Sequence, residues 1–137
     1  MTDWQNPPAP LPRRATAWLP AAWLLAIVVL SATASTRPQL VLQWTRYLPG
    51  RDKTGHFLLM GGFAGVSVLA FAGRRLGARR VAVLAVLLVV TGLVVLEEFV
   101  QLWLPYRTFS LIDLASSLAG VACFGALAAL WSARGAR

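Results

Sequence analysis

The sequence contains little charge, few acidic residues and almost no redox-active or metal-binding side chains. Only 13% of its 137 residues are charged and 58% are hydrophobic, whereas a typical soluble domain has about 25% charged residues. It has one cysteine, Cys123, and one histidine, His56. A single cysteine excludes a disulfide framework or a thiolate metal site, so we expect Cys123 to serve in packing. The absence of HExxH, GxSxG and phosphate-binding glycine-loop motifs removes several common enzyme classes.

The net charge of +8 could suggest a nucleic-acid partner, but the charge distribution argues against one. The basic residues form short clusters between apolar runs instead of lining one polar face. A nucleic-acid surface needs a continuous basic patch or stripe. We therefore expect no nucleic-acid partner.

Long apolar runs fill most of the chain and predict an all-α membrane protein. A charge-poor run of about 20 residues can cross the hydrocarbon core as a helix. Segments of that kind lie at roughly residues 16–34, 55–73, 81–104 and 112–132. The sequence therefore predicts a bundle of four transmembrane helices with short loops, forming one domain over residues 15–137. Residues 1–14, rich in proline and polar side chains, are predicted to be a disordered cytoplasmic tail.

The first apolar segment also has features of a secretory signal peptide. Arg13 and Arg14 precede it, and Ala32, Thr33 and Ala34 imitate a cleavage site. Its charge-free run is long for a signal peptide, so we interpret it as an uncleaved helix, with cleavage as the alternative. Either outcome leaves the later helices in the same orientation.

Lysine and arginine are unevenly divided between the two sides of the predicted bundle. One side holds eight of them: Arg13, Arg14, Arg74, Arg75, Arg79, Arg80, Arg134 and Arg137. The other side holds five: Arg37, Arg46, Arg51, Lys53 and Arg107. Cytoplasmic loops carry the excess of positive charge, so both termini are predicted to be cytoplasmic. The dense RRLGARR hairpin strengthens this prediction, with an anionic-lipid site there as the alternative.

The first outer loop has the pattern of a short helix lying in the membrane interface. Pro38 suits the first position of a helix. The residues that would share its apolar face are Leu40, Val41, Trp44, Tyr47 and Leu48. Trp103 and Tyr106 fit an aromatic belt at the same level.

Polar residues from three segments are predicted to meet near the outer face. Counting about 1.5 Å of rise per residue brings the polar ends of the second, third and fourth segments to one level. Four of the five acidic residues lie there: Asp52, Glu97, Glu98 and Asp113. Asp52 and His56 are spaced i,i+4, which favours a shared helix face. Adjacent Glu97 and Glu98 point about 100° apart, so they can contact different neighbours.

A purely structural interpretation of the two glutamates stays open. Near the interface the free energy of placing a carboxylate in a membrane helix is modest. Glu97 and Glu98 could then mark the end of the helix and pair with Lys53 or Arg107. We favour a functional cluster because intramembrane ionisable residues more often belong to a site.

At these residues the sequence resembles the VanZ-like family of small bacterial membrane proteins. The matching motifs are D-K-x-x-H-F from Asp52, E-x-x-Q from Glu98 and R-x-F-S-x-x-D from Arg107, followed by Gly120. They cover the second to fourth segments. The sequence departs from the family at Ser117, where Asn is frequent. Serine keeps a hydroxyl but loses the two-sided amide, which weakens the case for a bridging role there.

The resemblance implies a role in the bacterial cell envelope. The family is named for a protein associated with resistance to the glycopeptide teicoplanin, which places such a protein in the bacterial cytoplasmic (inner) membrane. The expected partners are membrane lipids, with a lipid-linked cell-wall precursor or a glycopeptide as further candidates. The motifs of the family do not define a reaction.

Our leading hypothesis is an outer-leaflet polar site that binds a lipid headgroup, a cell-wall precursor or an amphiphilic antibiotic. The arginines and Lys53 would engage phosphate, and the carboxylates and amide would hold those groups in place. The candidate ligand-binding residues are Asp52, Lys53, His56, Glu97, Glu98, Gln101, Arg107, Asp113 and Ser117.

One rival hypothesis is a membrane-embedded hydrolase or transferase acting on a lipid-linked substrate. Its candidate catalytic residues, which are also the candidate metal ligands, are Glu98, His56 and Asp113. We expect neither a metal nor a cofactor. A glutamate-type intramembrane protease would need Arg at Leu102 and further histidines, so that class is disfavoured.

A second rival is a structural or scaffold protein. Gly61 and Gly65 form a GxxxG pattern, and small residues recur in the fourth segment: Ser116, Ala119, Gly120, Ala122, Cys123 and Ala126. Such spacing allows helices to approach closely. We expect packing within one chain, with a homo-oligomer as the alternative.

Overall fold

A computed structural model describes residues 16, 18–47, 49–50, 52–71, 76–105 and 107–134, the side chains of residues 42, 44, 45 and 76–79 excepted. The regular elements in this part of the chain are all helical. They are α1 (Trp18–Thr36), α2 (Pro38–Thr45), α3 (Asp52–Phe71), α4 (Leu76–Val100), a 3₁₀ turn (Gln101–Trp103) and α5 (Leu111–Arg134). In the described ranges, four helices (α1, α3, α4 and α5) are long and apolar enough to cross a membrane. The predicted all-α four-helix bundle is confirmed.

The helix ends differ from the prediction by a few residues, for local reasons. Helix α3 begins at Asp52, because a carboxylate in the first turn interacts favourably with the helix dipole. Helix α4 begins at Leu76, before its apolar run, and tightens into the 3₁₀ turn instead of continuing to residue 104. Leu104 is extended, with φ −94° and ψ 135°. Pro105 follows it, and a residue before proline is disfavoured in the helical conformation.

The predicted interfacial helix exists as α2 but is shorter than expected. It begins at Pro38, as predicted, and ends at Thr45, so Tyr47 lies in the following turn instead of on the helix face. Tyr47 is 74% exposed and stacks under the guanidinium of Arg46, 4.7 Å from its ring centroid. Leu48, Tyr106, the 1–14 tail and the arginines at 13, 14, 51, 74, 75 and 137 lie outside the described residues, as does the Trp44 side chain.

Helices α3 and α5 make the most extensive contact in the bundle. Gly120 of α5 faces the backbone of α3, where an added Cβ would lie 2.1 Å from the carbonyl oxygen of Phe57. Gly61 lies opposite it, and a Cβ added there would lie 2.9 Å from the carbonyl oxygen of Gly120. The predicted close approach of small residues therefore occurs within the chain. Cys123, expected to pack, is instead exposed on the outer surface of α5.

Helix α1 is held against α3 and barely touches α4. The indole of Trp23 covers Gly62, and its Nε1 donates a hydrogen bond to the Leu59 carbonyl at 2.9 Å. The core lies deeper, where Ile27 of α1 packs with Ala64 of α3, Val94 of α4 and Val121 of α5. All four long helices therefore contribute to the core, although α1 packs mainly on α3.

Candidate functional site

Polar side chains from three membrane helices meet at one end of the bundle, where α3 and α5 begin and α4 ends. Four of the predicted site residues there are buried almost completely: His56, Glu98, Gln101 and Ser117. Asp113 is 9% exposed, whereas Asp52 and Lys53 lie at the surface and Arg107 and Glu97 are half-buried. The structure thus places all nine predicted residues at this end. Arg80 and Arg134 belong to the opposite end, near the start of α4 and at the end of α5.

Glu98 is the most deeply buried carboxylate and joins α4 to the start of α5. It is 1% exposed and accepts hydrogen bonds from the backbone N–H of Ser110 at 2.9 Å and from the Gln101 amide at 3.4 Å. Ser110 immediately precedes α5, and its hydroxyl accepts a hydrogen bond from the N–H of Asp113 at 3.3 Å. The side chains of Glu98 and Ser110 therefore cap the first turn of α5 together.

This cap leaves the carboxylate of Asp113 free for another partner. In an ordinary capping box the acidic or amide residue at the third helical position accepts the N–H of the cap residue. Here Glu98 takes that N–H, and Asp113 Oδ1 accepts a hydrogen bond from Lys53 Nζ at 3.1 Å. Lys53 therefore pairs with Asp113, not with a glutamate as the structural interpretation expected. Its side chain is 47% exposed, so this ion pair contributes little stability.

His56 lies between Asp52 on its own helix and Ser117 on α5. Its Nδ1 is 3.2 Å from the Ser117 hydroxyl, and its Nε2 is 4.0 Å from Asp52 Oδ2. Ser117 thus bridges α5 to α3 through a hydroxyl–imidazole hydrogen bond. Ser117 is only 1% exposed and lies inside the α3–α5 interface. A substrate cannot reach its hydroxyl there, so this Ser–His contact does not form a usable nucleophile.

Glu97 points inward as well, but toward α1. Its Oε1 accepts a hydrogen bond from the Ser31 hydroxyl at 3.0 Å, and the Gln101 amide donates to its two oxygens at 3.0 and 3.1 Å. The tightened 3₁₀ turn at Gln101 places this amide between the carboxylates of Glu97 and Glu98. Ser31 was missed by sequence reasoning. A hydroxyl in an apolar segment is the available signal, although Thr33, Ser35 and Thr36 lie close to it and hydroxyls in a helix often bond only to their own backbone.

A chamber of about 320 Å³ opens beside this network. Its polar walls are Ser31, Asp52, His56, Glu97 and Arg107, and the rest comes from apolar residues and Gly55 on α1, α2 and α3. Among the residues described, Arg107 Nε is the one buried side-chain nitrogen or oxygen without a hydrogen-bond partner. A buried N–H left without an acceptor costs about 1–3 kcal/mol, so a ligand oxygen that accepts a hydrogen bond from this guanidinium would be favoured.

The carboxylates also offer two sets of potential metal ligands that share His56. One set is Asp52, His56 and Asp113, and the other is His56, Glu97 and Glu98, each within 4.8 Å. The predicted trio of His56, Glu98 and Asp113 does not form one such set. In the second set the glutamate oxygens already accept hydrogen bonds from Ser31, Gln101 and Ser110. A cation would have to displace donors that the fold uses to hold its helices together.

The chain was also compared with known proteins. Neither the protein-family models, nor the curated proteins, nor the solved structures gave a match.

Proposed function

We propose that this chain is a VanZ-like protein of the bacterial cytoplasmic membrane that binds the polar head of an amphiphile at the outer leaflet. A lipid headgroup, a lipid-linked cell-wall precursor and an amphiphilic antibiotic all have this chemistry. The single observation that carries the proposal is Arg107, which lines a chamber of about 320 Å³ and whose buried Nε has no hydrogen-bond partner in the part of the chain that the structure describes. A phosphate or carboxylate oxygen would satisfy it with a charge-assisted hydrogen bond.

The charge asymmetry of the bundle supports an outer-leaflet position. Arg80, the last residue of the RRLGARR stretch, and Arg134 lie at the end remote from the chamber. Under the positive-inside rule this end faces the cytoplasm and both termini lie there. The chamber then opens toward the outer headgroups, where Trp103, 76% exposed, would lie in the aromatic belt.

The resemblance to the VanZ-like family supports the same proposal. The three motifs supply Lys53, His56, Glu98, Arg107 and Asp113, which meet at one end of the bundle. A shared task would explain why residues from α3, α4, α5 and the loop before α5 meet at this end.

Replacing Arg107 tests the proposal directly. We expect Arg107→Gln to weaken binding of phosphate-bearing amphiphiles at least about 10-fold, since a hydrogen bond to a charged group contributes about 1.5–3 kcal/mol. The assay titrates the purified full chain in detergent with fluorescent phospholipids and a fluorescent polyprenyl phosphate. Arg134→Gln is the matched control, because it removes the same charge from the opposite end. Equal affinities for wild type and Arg107→Gln would refute the proposal.

A contribution to glycopeptide resistance is a further expectation of the same site. We expect cells that produce the wild-type chain to tolerate more teicoplanin than cells producing Glu98→Gln or Asp113→Asn, at matched membrane levels. Both changes remove a charge and keep the shape of the side chain. Equal teicoplanin susceptibility in all three strains would show that the site does not contribute to resistance, and it would contradict this part of the proposal.

An enzyme acting on a lipid-linked substrate is the second candidate. The observation in its favour is His56, whose ring lies beside Asp52, Asp113 and both glutamates. Imidazole and carboxylate together could transfer protons. Asp52 and Glu97 are the carboxylates that line the chamber, whereas Glu98 is buried and Asp113 is not part of its lining. Turnover of a lipid-linked substrate that disappears in His56→Ala would favour this candidate over simple binding.

A further inference from the structure

The polar chamber borders an apolar groove between α1 and α4, and the hydrogen bond between Ser31 and Glu97 lies where the two spaces meet. A cavity of about 460 Å³ shares Ile27, Ser31, Met60 and Glu97 with the chamber. A second cavity of about 360 Å³ lies nearer the opposite end and shares Leu24, Phe63 and Leu93 with the first. The three spaces therefore follow one another along the bundle. The groove exists because α1 packs on α3 and barely contacts α4.

The dimensions of this groove match one acyl chain. Along α4 its lining runs from Val100 to Ala85, and Glu97, which also lines the chamber, lies twelve residues from Ala85. At 1.5 Å of rise per residue this distance is about 18 Å. One leaflet occupies about half of the 30 Å hydrocarbon core, or about 15 Å. A chain whose head lies at Glu97 would therefore end near the far limit of the groove.

The walls of the groove distinguish it from the outer surface of the bundle. Its floor consists of buried side chains, including Ile27, Met60, Phe63 and Val94. Its rim consists of exposed residues on both sides, Val28 on α1 and Leu96 on α4. The groove is thus open sideways toward the bilayer, which gives an acyl chain a route inward without passing through the polar end.

The charges around the chamber restrict the head of such a ligand. Arg107 offers an N–H to an anionic oxygen, but Asp52 and Glu97 line the same space. A head carrying only phosphate would meet both carboxylates, and a head carrying only an amine would leave Arg107 unsatisfied. A head with a phosphate and a nearby ammonium group satisfies both sets of charges.

We propose that the ligand is a zwitterionic, acylated lipid of the phosphatidylethanolamine type, with its head in the chamber and one chain in the α1–α4 groove. This inference rests on the proposed function and adds the charge of the head and the place of the tail. The lipid enters sideways between α1 and α4, and its phosphate reaches Arg107 while its ammonium group lies near Asp52 and Glu97.

The test separates the head from the tail. The full chain in detergent is titrated with phosphatidylethanolamine and with phosphatidylglycerol, and bound lipid is counted by native mass spectrometry. Ala32→Trp fills the groove from an exposed position, and Ala26→Trp places the same side chain on an exposed part of α1 outside it. We expect Ala32→Trp to weaken phosphatidylethanolamine binding about 10-fold or more, because the ring takes the space of the acyl chain. Ala26→Trp should bind like the wild type.

Each outcome has a separate meaning. Phosphatidylethanolamine is expected to bind at least about 10-fold more tightly than phosphatidylglycerol, since mismatched charges at a binding site are strongly disfavoured. Equal affinity for the two lipids overturns the zwitterionic head. Unchanged binding in Ala32→Trp, with loss in Arg107→Gln, overturns the groove and leaves the proposed function standing. Lipid binding that is insensitive to Arg107→Gln overturns both.

Discussion

Gly120→Ala is expected to destabilise the bundle more than any other exchange of one small residue for another. The added Cβ would lie 2.1 Å from the carbonyl oxygen of Phe57 and 3.1 Å from the amide nitrogen of Gly61. Both obstacles are backbone atoms of α3, so no side-chain rotation relieves the clash. Overpacking of a tight interior costs about 1–3 kcal/mol, and we expect about 3 kcal/mol here because two helices must separate.

The measurement is thermal unfolding of the full chain in detergent, followed by circular dichroism. A loss of about 3 kcal/mol corresponds to a fall of about 10 °C in Tm for a chain of this size. The control is Gly92→Ala on α4, where an added Cβ meets nothing within 4 Å. Alanine forms helix better than glycine by about 1 kcal/mol, so this control should be neutral or more stable. A Gly120→Ala protein as stable as Gly92→Ala would disprove the close α3–α5 contact.

Glu98→Ala is expected to have the second large effect, at the start of α5. The change leaves the N–H of Ser110 without its acceptor and creates a cavity where a carboxylate is 1% exposed. An unsatisfied buried donor costs about 1–3 kcal/mol, and the cavity adds to it, so we expect a total of about 3 kcal/mol. Glu98→Gln keeps a carbonyl oxygen that can accept the same hydrogen bond and should lose about 1 kcal/mol or less.

Hydrogen exchange locates the effect. In Glu98→Ala the backbone amides of the first turn of α5 should exchange faster, because their cap is lost. Glu97→Ala is the neighbouring control, since Glu97 bonds to side chains of α1 and the 3₁₀ turn and to no amide of α5. Equal exchange at Ser110 and Asp113 in the wild type and Glu98→Ala would show that the carboxylate does not hold this turn.

The helical architecture was predictable because a membrane span leaves few alternatives. Apolar runs of about 20 residues, separated by basic or proline-containing loops, indicate helices of known length. The same rise per residue brings Asp52, Glu98 and Asp113 to one level, so their convergence was predictable too. The extended conformation of Leu104 also follows from the local sequence, because Pro105 disfavours the helical conformation at the preceding residue.

The partners of these side chains were not predictable in the same way. Glu97 and Glu98 are adjacent in the sequence, yet Glu97 bonds to Ser31 and Glu98 bonds to Ser110. Which partner each glutamate meets depends on the rotation and tilt of α4, which hydropathy does not encode. Lys53 could have met any of four carboxylates and pairs with Asp113. The α1–α4 groove depends on how α1 is tilted where it packs on α3. Cys123 was assigned to packing because it lies in an apolar run, but in a membrane an apolar run faces lipid as readily as protein.

The pairing of α3 with α5 also sets the order in which the protein can be completed during synthesis. Helix α4 leaves the ribosome between these two partners, so the pair with the most extensive contact in the bundle must wait for α5 to be inserted. Until then Ser117 has not reached His56, Lys53 lacks Asp113, and Glu98 has no α5 to cap. The intermediate with three inserted helices therefore exposes charged groups that only the fourth can satisfy. A nascent chain stalled before Leu111 should accordingly be an early substrate for membrane quality control.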